Sequence, residues 1–292
     1  MFWQTTRFRI DLSRPRVMGI VNVTPDSFSD GGLHGDARGA IAHCEQLLEQ
    51  GADILDIGGE SSRPGAPVLA PDEEWARIEA VLRAALGLGV PVSVDTCKPA
   101  VMQRALDLGA DIINDIRALQ GPGAVEVLAA HERAGVCLMH MRGDPTTMQG
   151  LVDYGDVLAE VAAFLSGRAA ALRRAGIAAE RITLDPGYGF AKTPEQNFEL
   201  LRRQGELLAL GYPLLIGWSR KSSLGVLTGR PVCERLPASL AAALLAASHG
   251  ARVLRVHDVA ATVDALKVWQ AGGGTLLPMA DNVQIDSGGR SI

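Results

Sequence analysis

Three short polar residues of this sequence stand directly after apolar runs, where a buried carboxylate or amide could bind a ligand. They are Asp95, Asn114 and Asp185. Burying a carboxylate is unfavourable unless hydrogen-bond donors meet it, and a flat heterocycle with an amino group and ring N–H groups would supply such donors. Asp and Asn also cap helices that follow strands, so a structural role stays open for each residue alone. Three of them at one opening favour a binding site for a heterocycle.

Cationic side chains form a second pattern, which favours the binding of an anion. Arg255 and His257 lie two residues apart, so strand periodicity places both on the same side. Residues 58–65 combine glycines and serines, among them Ser62, with the forked donors of Arg63. A solvated loop in which Arg63 has no role is the alternative. The two segments together predict a site for a phosphate-like group.

Further candidate contacts surround these groups. Lys221 can meet a ring carbonyl or a carboxylate, and Ser222 stands where a helix would begin, so that its hydroxyl and free backbone N–H groups could hold a carboxylate. The amide oxygen of Asn22 suits Mg2+ or a water bound to a diphosphate. Phe28 lies in the polar segment after Asn22 and could cover a ligand, although this segment could equally be a plain connection.

Other classes of function are disfavoured. The sequence contains no zinc-protease, nucleophile-elbow or phosphate-loop motif, so a nucleophilic triad is not indicated, and His140 receives no role. A net charge of −5 argues against general affinity for nucleic acid. No signal peptide and no apolar run of membrane-spanning length is present. Four cysteines without metal or disulfide spacing predict buried, reduced thiols and a cytoplasmic location.

Eight apolar runs, each followed by an amphipathic stretch, indicate the fold class. The predicted strands are residues 17–21, 53–57, 91–94, 111–113, 136–139, 182–184, 213–216 and 252–256, and the predicted helices are residues 37–49, 73–86, 100–108, 124–134, 154–175, 195–210, 237–248 and 259–270. Nearly continuous apolar strands are typical of a parallel sheet covered on its outer face. They predict an α/β fold, a single-domain (β/α)8 TIM barrel whose strand ends share one mouth, with a doubly wound open sheet as the rival.

The boundaries of the domain follow from the same pattern. The barrel is expected to span residues 1–271, and residues 272–292, which carry a glycine triplet and no helical stripe, are expected to form a loosely ordered tail. Glycines are expected to end several of the helices, and Gly135 is expected to end the fourth.

Seven segments of the sequence closely resemble the dihydropteroate synthase family. They are residues 18–31, 53–65, 92–96, 113–115, 184–190, 219–222 and 254–258, and they include Asp185-Pro-Gly-Tyr-Gly-Phe190 and Ser219-Arg-Lys-Ser222. The resemblance extends from residue 17 to residue 270. One departure is Ser62, where the family commonly has threonine; serine keeps the hydroxyl and loses a methyl group.

The resemblance implies a (β/α)8 enzyme that joins a dihydropterin methyl diphosphate to 4-aminobenzoate and releases diphosphate. Matching positions imply pterin contacts at Asp95, Asn114, Asp185 and Lys221, with Asp95, Asp185 and Lys221 taking part in catalysis. They imply diphosphate contacts at Asn22, Ser62, Arg63, Arg255 and His257, with Mg2+ at Asn22, and 4-aminobenzoate contacts at Phe28, Pro64, Phe190 and Ser222. The resemblance further implies a homodimer formed through late helices. A methyltransferase barrel that binds a methylated pterin, or an inactive pterin-binding scaffold, are the alternatives.

Overall fold

Eight parallel strands are buried on both faces because each consists largely of apolar, mostly branched residues. The computed structural model describes residues 1–24, 32–61, 65 and 68–278, and within residues 32–36 the backbone alone. The barrel strands are β3 (Arg16–Asn22), β4 (Ile54–Gly58), β5 (Val92–Asp95), β6 (Ile112–Asp115), β7 (Gly135–Met139), β8 (Ile182–Asp185), β9 (Leu214–Ile216) and β10 (Ala251–Val256). They pair in chain order and β10 closes on β3. The predicted TIM barrel is confirmed, and the open sheet is excluded.

Nine helices in the described part of the chain cover the barrel. They are α1 (Gly32–Glu49), α2 (Pro71–Leu86), α3 (Pro99–Leu108), α4 (Ala124–Ala130), α5 (Val157–Arg174), α6 (Pro194–Arg203), α7 (Ser222–Thr228), α8 (Leu236–Ser248) and α9 (Val259–Ala271). The predicted sixth helix continues only as a 3-10 helix over Gln204–Leu210. None of the described helices is long and apolar enough to cross a membrane.

The amino ends of the barrel strands are covered by a hairpin that the mixed pattern of residues 1–10 does not predict. Strands β1 (Phe2–Gln4) and β2 (Arg9–Asp11) pair antiparallel. Trp3 is fully buried and donates from Nε1 to the carbonyl of Arg181 at 3.0 Å. Arg7 forms an ion pair with Asp111 at 2.6 Å, just before β6. The hairpin therefore closes the end of the barrel opposite the carboxyl ends of the strands.

Two details of the sequence prediction are wrong. Gly135 does not end α4 but begins β7, and the helix stops earlier, at Ala130. The carbonyl groups after α4 are instead capped by the buried guanidinium of Arg181, which donates to Leu128, His131 and Ala134. The four cysteines are free thiols, but only Cys44 and Cys137 are buried: Cys97 is half-buried, and Cys233 is exposed in a 3-10 turn at the surface.

Side chains of alternate residues fill the barrel interior. A closed apolar layer near the hairpin includes Met18, Ile54, Ile112, Leu215 and Val253. Two residues further along β4, β6 and β10, the same side of the sheet carries polar groups, since successive residues alternate in direction. This step from an apolar layer to a polar layer places the site at the carboxyl ends of the strands.

Near the end of the described chain, the carbonyl of Leu277 accepts a hydrogen bond from Arg252 at 2.7 Å.

Candidate active site

The barrel register brings strand-end residues together at one mouth. Asn22 pairs with Gly58, Gly58 pairs with Asp95, and Asp95 pairs with Asn114 on consecutive strands β3 to β6. Asp185 ends β8. The carboxyl ends of parallel strands in a closed barrel share one face, which is where sites of this fold lie. The predicted convergence of Asn22, Asp95, Asn114 and Asp185 on one opening is thus observed in the fold.

Arg255 links two carboxylates across this mouth. Its Nε donates to Oδ2 of Asp56 and its Nη2 to Oδ2 of Asp95, each at 2.6 Å. The amide of Asn114 donates to the same Asp56 oxygen at 3.2 Å. Asp56 is fully buried, and its Oδ1 has no partner in the described part of the chain. Asp56 therefore orients both Arg255 and Asn114.

Sequence reasoning missed Asp56 as a site residue. It lies in the middle of β4, two residues after the core residue Ile54, and its apolar neighbours hide it. The available signal was a carboxylate inside an otherwise apolar strand, because such a group needs a buried partner.

Burial and pairing set the charges of this group. Burial raises the pKa of Asp95, and the neighbouring Arg255 works against this rise. Burial also raises the pKa of Asp185, although its Oδ1 accepts the backbone N–H of Gly187 at 2.7 Å. Burial works to lower the pKa of Arg255, but Asp56 and Asp95 outweigh it, so the pKa is raised and the guanidinium stays charged.

Lys221 faces the opposite side of the mouth. Its Nζ lies 4.2 Å from the ring centroid of Phe190, a cation–π contact, and burial lowers its pKa to about 8 against the pull of Asp185. The preceding Arg220 is in the left-handed region at φ 60, a strained conformation, and its guanidinium makes two hydrogen bonds to the carboxylate of Asp258. This tight turn directs the chain from β9 into α7.

Ser222 is the first residue of α7 and is exposed. Lys221 is the N-cap residue of this helix, with extended backbone at φ −61 and ψ 150. Ser222 directly follows Lys221, whose Nζ contacts the ring of Phe190. The contact of Ser222 with 4-aminobenzoate stays a prediction.

His257 follows β10 and is held by Ser219. The hydroxyl of Ser219 lies 3.0 Å from Nδ1 of His257 and accepts the backbone N–H of His257 at 3.1 Å. Burial, and next the charge of Arg255, lower the pKa of His257 to about 3. The ring is therefore neutral at pH 7, and only Arg255 of this pair carries the positive charge expected of both.

The buried side chain of Lys192 supports the segment after β8. Nζ of Lys192 donates to the carbonyls of Gly187 and Phe190 and to Nδ1 of His140, each at 3.0 Å. Burial lowers the pKa of Lys192 to about 7 and that of His140 to about 2. A Cβ at Gly187 would lie 1.9 Å from the carbonyl oxygen of His140, so only glycine fits there. Sequence patterns assign His140 no role and do not single out Lys192, because the bond between the two residues spans 52 positions of the sequence.

The remaining predicted residues lie outside the described part of the chain. These are Phe28, Ser62, Arg63 and Pro64. Among the described residues on either side of the last three, Oε2 of Glu60 accepts the backbone N–H of Leu69 and the ammonium of Lys98, each at 2.6 Å.

Asn22 is the candidate metal contact. Its side chain is partly buried at the end of β3 and makes no hydrogen bond within the described ranges. The same part of the chain contains no group of three or more acidic, histidine or cysteine ligands. Mg2+ commonly keeps several waters and takes one or two protein ligands together with substrate phosphates. A single amide oxygen therefore fits an ion that arrives with a diphosphate.

Comparisons with known proteins agree with this geometry. Residues 18–257 match the family model described as "Pterin binding enzyme". A dihydropteroate synthase from Neisseria meningitidis serogroup C is 56% identical over 275 residues, which cover 93% of this chain and 97% of the relative. The dihydropteroate synthase of Xanthomonas albilineans with 4-aminobenzoic acid is 50% identical, with a TM-score of 0.86, covering 91% of this chain and 96% of that one. The Burkholderia cenocepacia enzyme complexed with 7,8-dihydropteroate is 48% identical, with a TM-score of 0.83, covering 93% and 96%. The chain belongs to the pterin-binding enzyme family, together with these dihydropteroate synthases.

Proposed function

We propose that this chain is a dihydropteroate synthase: it condenses (7,8-dihydropterin-6-yl)methyl diphosphate with 4-aminobenzoate to give 7,8-dihydropteroate and diphosphate, a step of folate biosynthesis. The observation that carries this proposal is the pairing of a buried amide–carboxylate group with Arg255 at one barrel mouth. The relatives with this name span almost the whole chain, and their structures contain one substrate and the product of this reaction.

The pterin would bind between the buried acids and Lys221. Asp95 and Asp185 accept hydrogen bonds from the ring N–H and amino groups, Asn114 supplies one donor and one acceptor, and Lys221 meets the ring carbonyl. Two features support this arrangement: Asn114 is 5% exposed and Asp185 is 7% exposed. Buried groups with unused hydrogen-bonding capacity favour a polar heterocycle over an apolar ligand.

The reaction breaks the bond between the methylene carbon and the diphosphate oxygen and forms a bond from that carbon to the arylamine nitrogen, which then loses a proton. A dissociative route fits the residues present, since the electron-rich dihydropterin stabilises a cationic methylene. Asp95 and Asp185 favour that cation electrostatically, and Arg255 and Arg63 hold the departing oxygens. An arylamine is already nucleophilic, so the absence of a triad motif is consistent with this route.

Asn22 is proposed to hold Mg2+ together with the substrate diphosphate. When bound, the ion supplies neutralisation of charge on the leaving group. His257 contributes one hydrogen bond from a neutral ring, and Ser62 and Arg63 are proposed to contribute further hydrogen bonds. Ser222, Phe190, Phe28 and Pro64 are proposed to surround 4-aminobenzoate.

This arrangement predicts ordered binding. Arg63 and Pro64 stand side by side in one short segment, so an anion held by Arg63 would also position Pro64 beside the second substrate. Calorimetry should therefore detect binding of 4-aminobenzoate with diphosphate and Mg2+ present, and at least about tenfold weaker binding without them. Equal affinity under the two conditions would contradict the order.

The direct test is a coupled assay for dihydropteroate with both substrates and Mg2+, with diphosphate release measured in parallel. Product and diphosphate should form in equal amounts. The methyltransferase alternative predicts neither product, and its substrate would be a methylated pterin without diphosphate. An inactive scaffold would bind pterin without turnover. Arg83→Met, which changes an exposed ion pair on α2, is a matched control and should leave the rate unchanged.

We propose a homodimer formed by α7, α8 and α9. Exposed apolar side chains concentrate there, with Val226 and Leu227 67% exposed and Val268 73% exposed. In α8, alanines such as Ala242 and Ala246 are buried against the rest of the subunit, so the outward Leu245 is the better candidate for the interface. Replacing Leu227 with Glu should halve the molar mass in light scattering. Val68→Glu is the control and should leave the molar mass unchanged, because Val68 is about equally exposed but lies just before α2, outside the proposed interface.

We also propose a cytoplasmic location, with small molecules as the substrates and neither nucleic acid nor membrane as a partner. All four cysteines are free thiols, which suits a reducing compartment. The net charge of −5 gives no basis for general binding to nucleic acid.

A further inference from the structure

Ser219 contacts His257 at two points, and these contacts determine where the imidazole carries its proton. Ser219 is 8% exposed and lies between β9 and α7. Its Oγ accepts the backbone N–H of His257 at 3.1 Å and lies 3.0 Å from Nδ1 of the same residue. The serine and the histidine ring therefore form a closed two-bond contact.

Counting hydrogens assigns the direction of the second bond. A hydroxyl has one hydrogen, and Oγ of Ser219 has no acceptor other than Nδ1 among the described residues. If Oγ instead accepted from Nδ1–H, the hydroxyl hydrogen would have no acceptor among these residues, so donation to Nδ1 is the arrangement that satisfies the hydroxyl, and it leaves Nδ1 unprotonated. A neutral imidazole has a single N–H, so the proton is on Nε2, and Nε2 has no partner within the same residues.

The neutral state of the ring has an independent cause. Burial is the largest influence and the charges of Arg255, Arg220 and Lys221 add to it, while Asp258 opposes them; together they lower the pKa of His257 to about 3. A ring with two N–H groups could donate from Nε2 whatever its partner at Nδ1 was. A neutral ring donates from Nε2 only in one of its two tautomers, so the group at Nδ1 decides.

We propose that Ser219 is a positioning residue that holds His257 in the Nε2–H tautomer, so that the neutral ring donates a hydrogen bond to the substrate diphosphate. This role rests on the proposed function for its consequence in catalysis. In the other tautomer, Nε2 would present a lone pair to an anionic oxygen and repel it. For histidines that bind a metal, partners that orient the ring contribute about 10- to 100-fold to affinity or activity, and we expect an effect at the lower end of that range here.

Nitrogen-15 NMR of the histidine rings at pH 7 tests the tautomer directly. The chain has six histidines, and the resonance of His257 is assigned by its loss in His257→Gln. We expect an unprotonated Nδ1 and a protonated Nε2 in the unaltered protein, and exchange-averaged nitrogens in Ser219→Ala. A protonated Nδ1 in the unaltered protein would overturn the proposal, and this measurement needs no variant of Ser219 that folds.

Calorimetry with inorganic diphosphate and Mg2+ tests the consequence. Ser219→Ala should bind about tenfold more weakly, while Ser219→Thr, which keeps the hydroxyl, should restore both affinity and tautomer. Ser248→Ala is the matched control, because its hydroxyl also makes two hydrogen bonds but lies between α8 and α9. Unchanged affinity in Ser219→Ala would refute the role. Absence of dihydropteroate synthesis with the expected tautomer would instead refute the proposed function.

Discussion

Arg255 is the cation that Asp56 and Asp95 share, and replacing it should show how strongly these three residues stabilise the fold together. Arg255→Met leaves a fully buried carboxylate and a second one with 16% side-chain exposure, at distances of 2.6 Å from the lost donors. Taking away one partner of a buried ion pair typically costs about 3–5 kcal/mol, because the remaining charge is desolvated and unpaired. We expect the free energy of unfolding to fall by about that amount.

Asp56→Asn gives the other side of a double-mutant cycle. It removes one charge but leaves Arg255 paired with Asp95, so the loss should be about 1.5–3 kcal/mol, the range for a hydrogen bond to a charged group. In the double variant the unpaired charge of Asp56 no longer exists. The sum of the two single losses in free energy of unfolding should therefore exceed the loss in the double variant by about 1–3 kcal/mol.

Urea unfolding at pH 7 without ligands, at one fixed protein concentration, provides the four free energies. The exposed pair of Arg83 and Glu79 on α2 is the control cycle, and it should show a coupling of only about 0.3–0.5 kcal/mol. If the losses for Asp56 and Arg255 add within about 0.5 kcal/mol, the two residues are not coupled and the reasoning on this network is wrong.

Three further outcomes follow from the same site. Lys221→Met should raise the KM for the pterin diphosphate at least about tenfold, since it removes a charged hydrogen-bond donor, and initial rates at low pterin substrate will detect this. Because burial lowers the pKa of Lys221 to about 8, kcat/KM for that substrate should fall as the pH rises through 8, and Lys221→Arg should move this limb to higher pH. His140 has its pKa lowered to about 2, so only the unfolded chain takes up this proton below pH 6.5; stability should fall with pH from there by up to about 1.4 kcal/mol per unit. His140→Gln should flatten that part of the stability profile, and an unchanged slope would show that the buried ring takes up its proton.

The strands were predictable because each is a short, nearly continuous apolar run, and a parallel barrel requires burial on both faces. All eight predicted runs overlap the barrel strands β3 to β10. The hairpin of β1 and β2 was not predictable in the same way. Its strands have three residues each, with one buried residue apiece, so no repeating pattern can appear.

The residues of the candidate site likewise fall into those that the sequence predicts and those that it does not. Residues at strand ends were predictable because the fold alone brings them to one mouth. The network around Asp56 was not, because its bond to Arg255 spans 199 positions of the sequence and depends on barrel closure. Lys192 likewise binds His140 across 52 positions. A local sequence pattern shows which residue is polar. The residue with which it pairs is determined by how the strands align in the closed barrel.

The geometry of Arg255 explains how one residue can contact both the buried carboxylates of the proposed pterin site and the diphosphate. Its Nε and one hydrogen of Nη2 hold Asp56 and Asp95, and Nη1 makes no hydrogen bond within the described chain. A guanidinium has five N–H donors in a rigid plane, so fixing two of them also fixes the direction of the others. The carboxylates thus orient the donors left for the diphosphate, and they keep negative charge near the carbon from which it departs. A lysine at this position would carry a charge but lack the planar guanidinium. Bonds to the two carboxylates would therefore not fix the direction of its remaining donors.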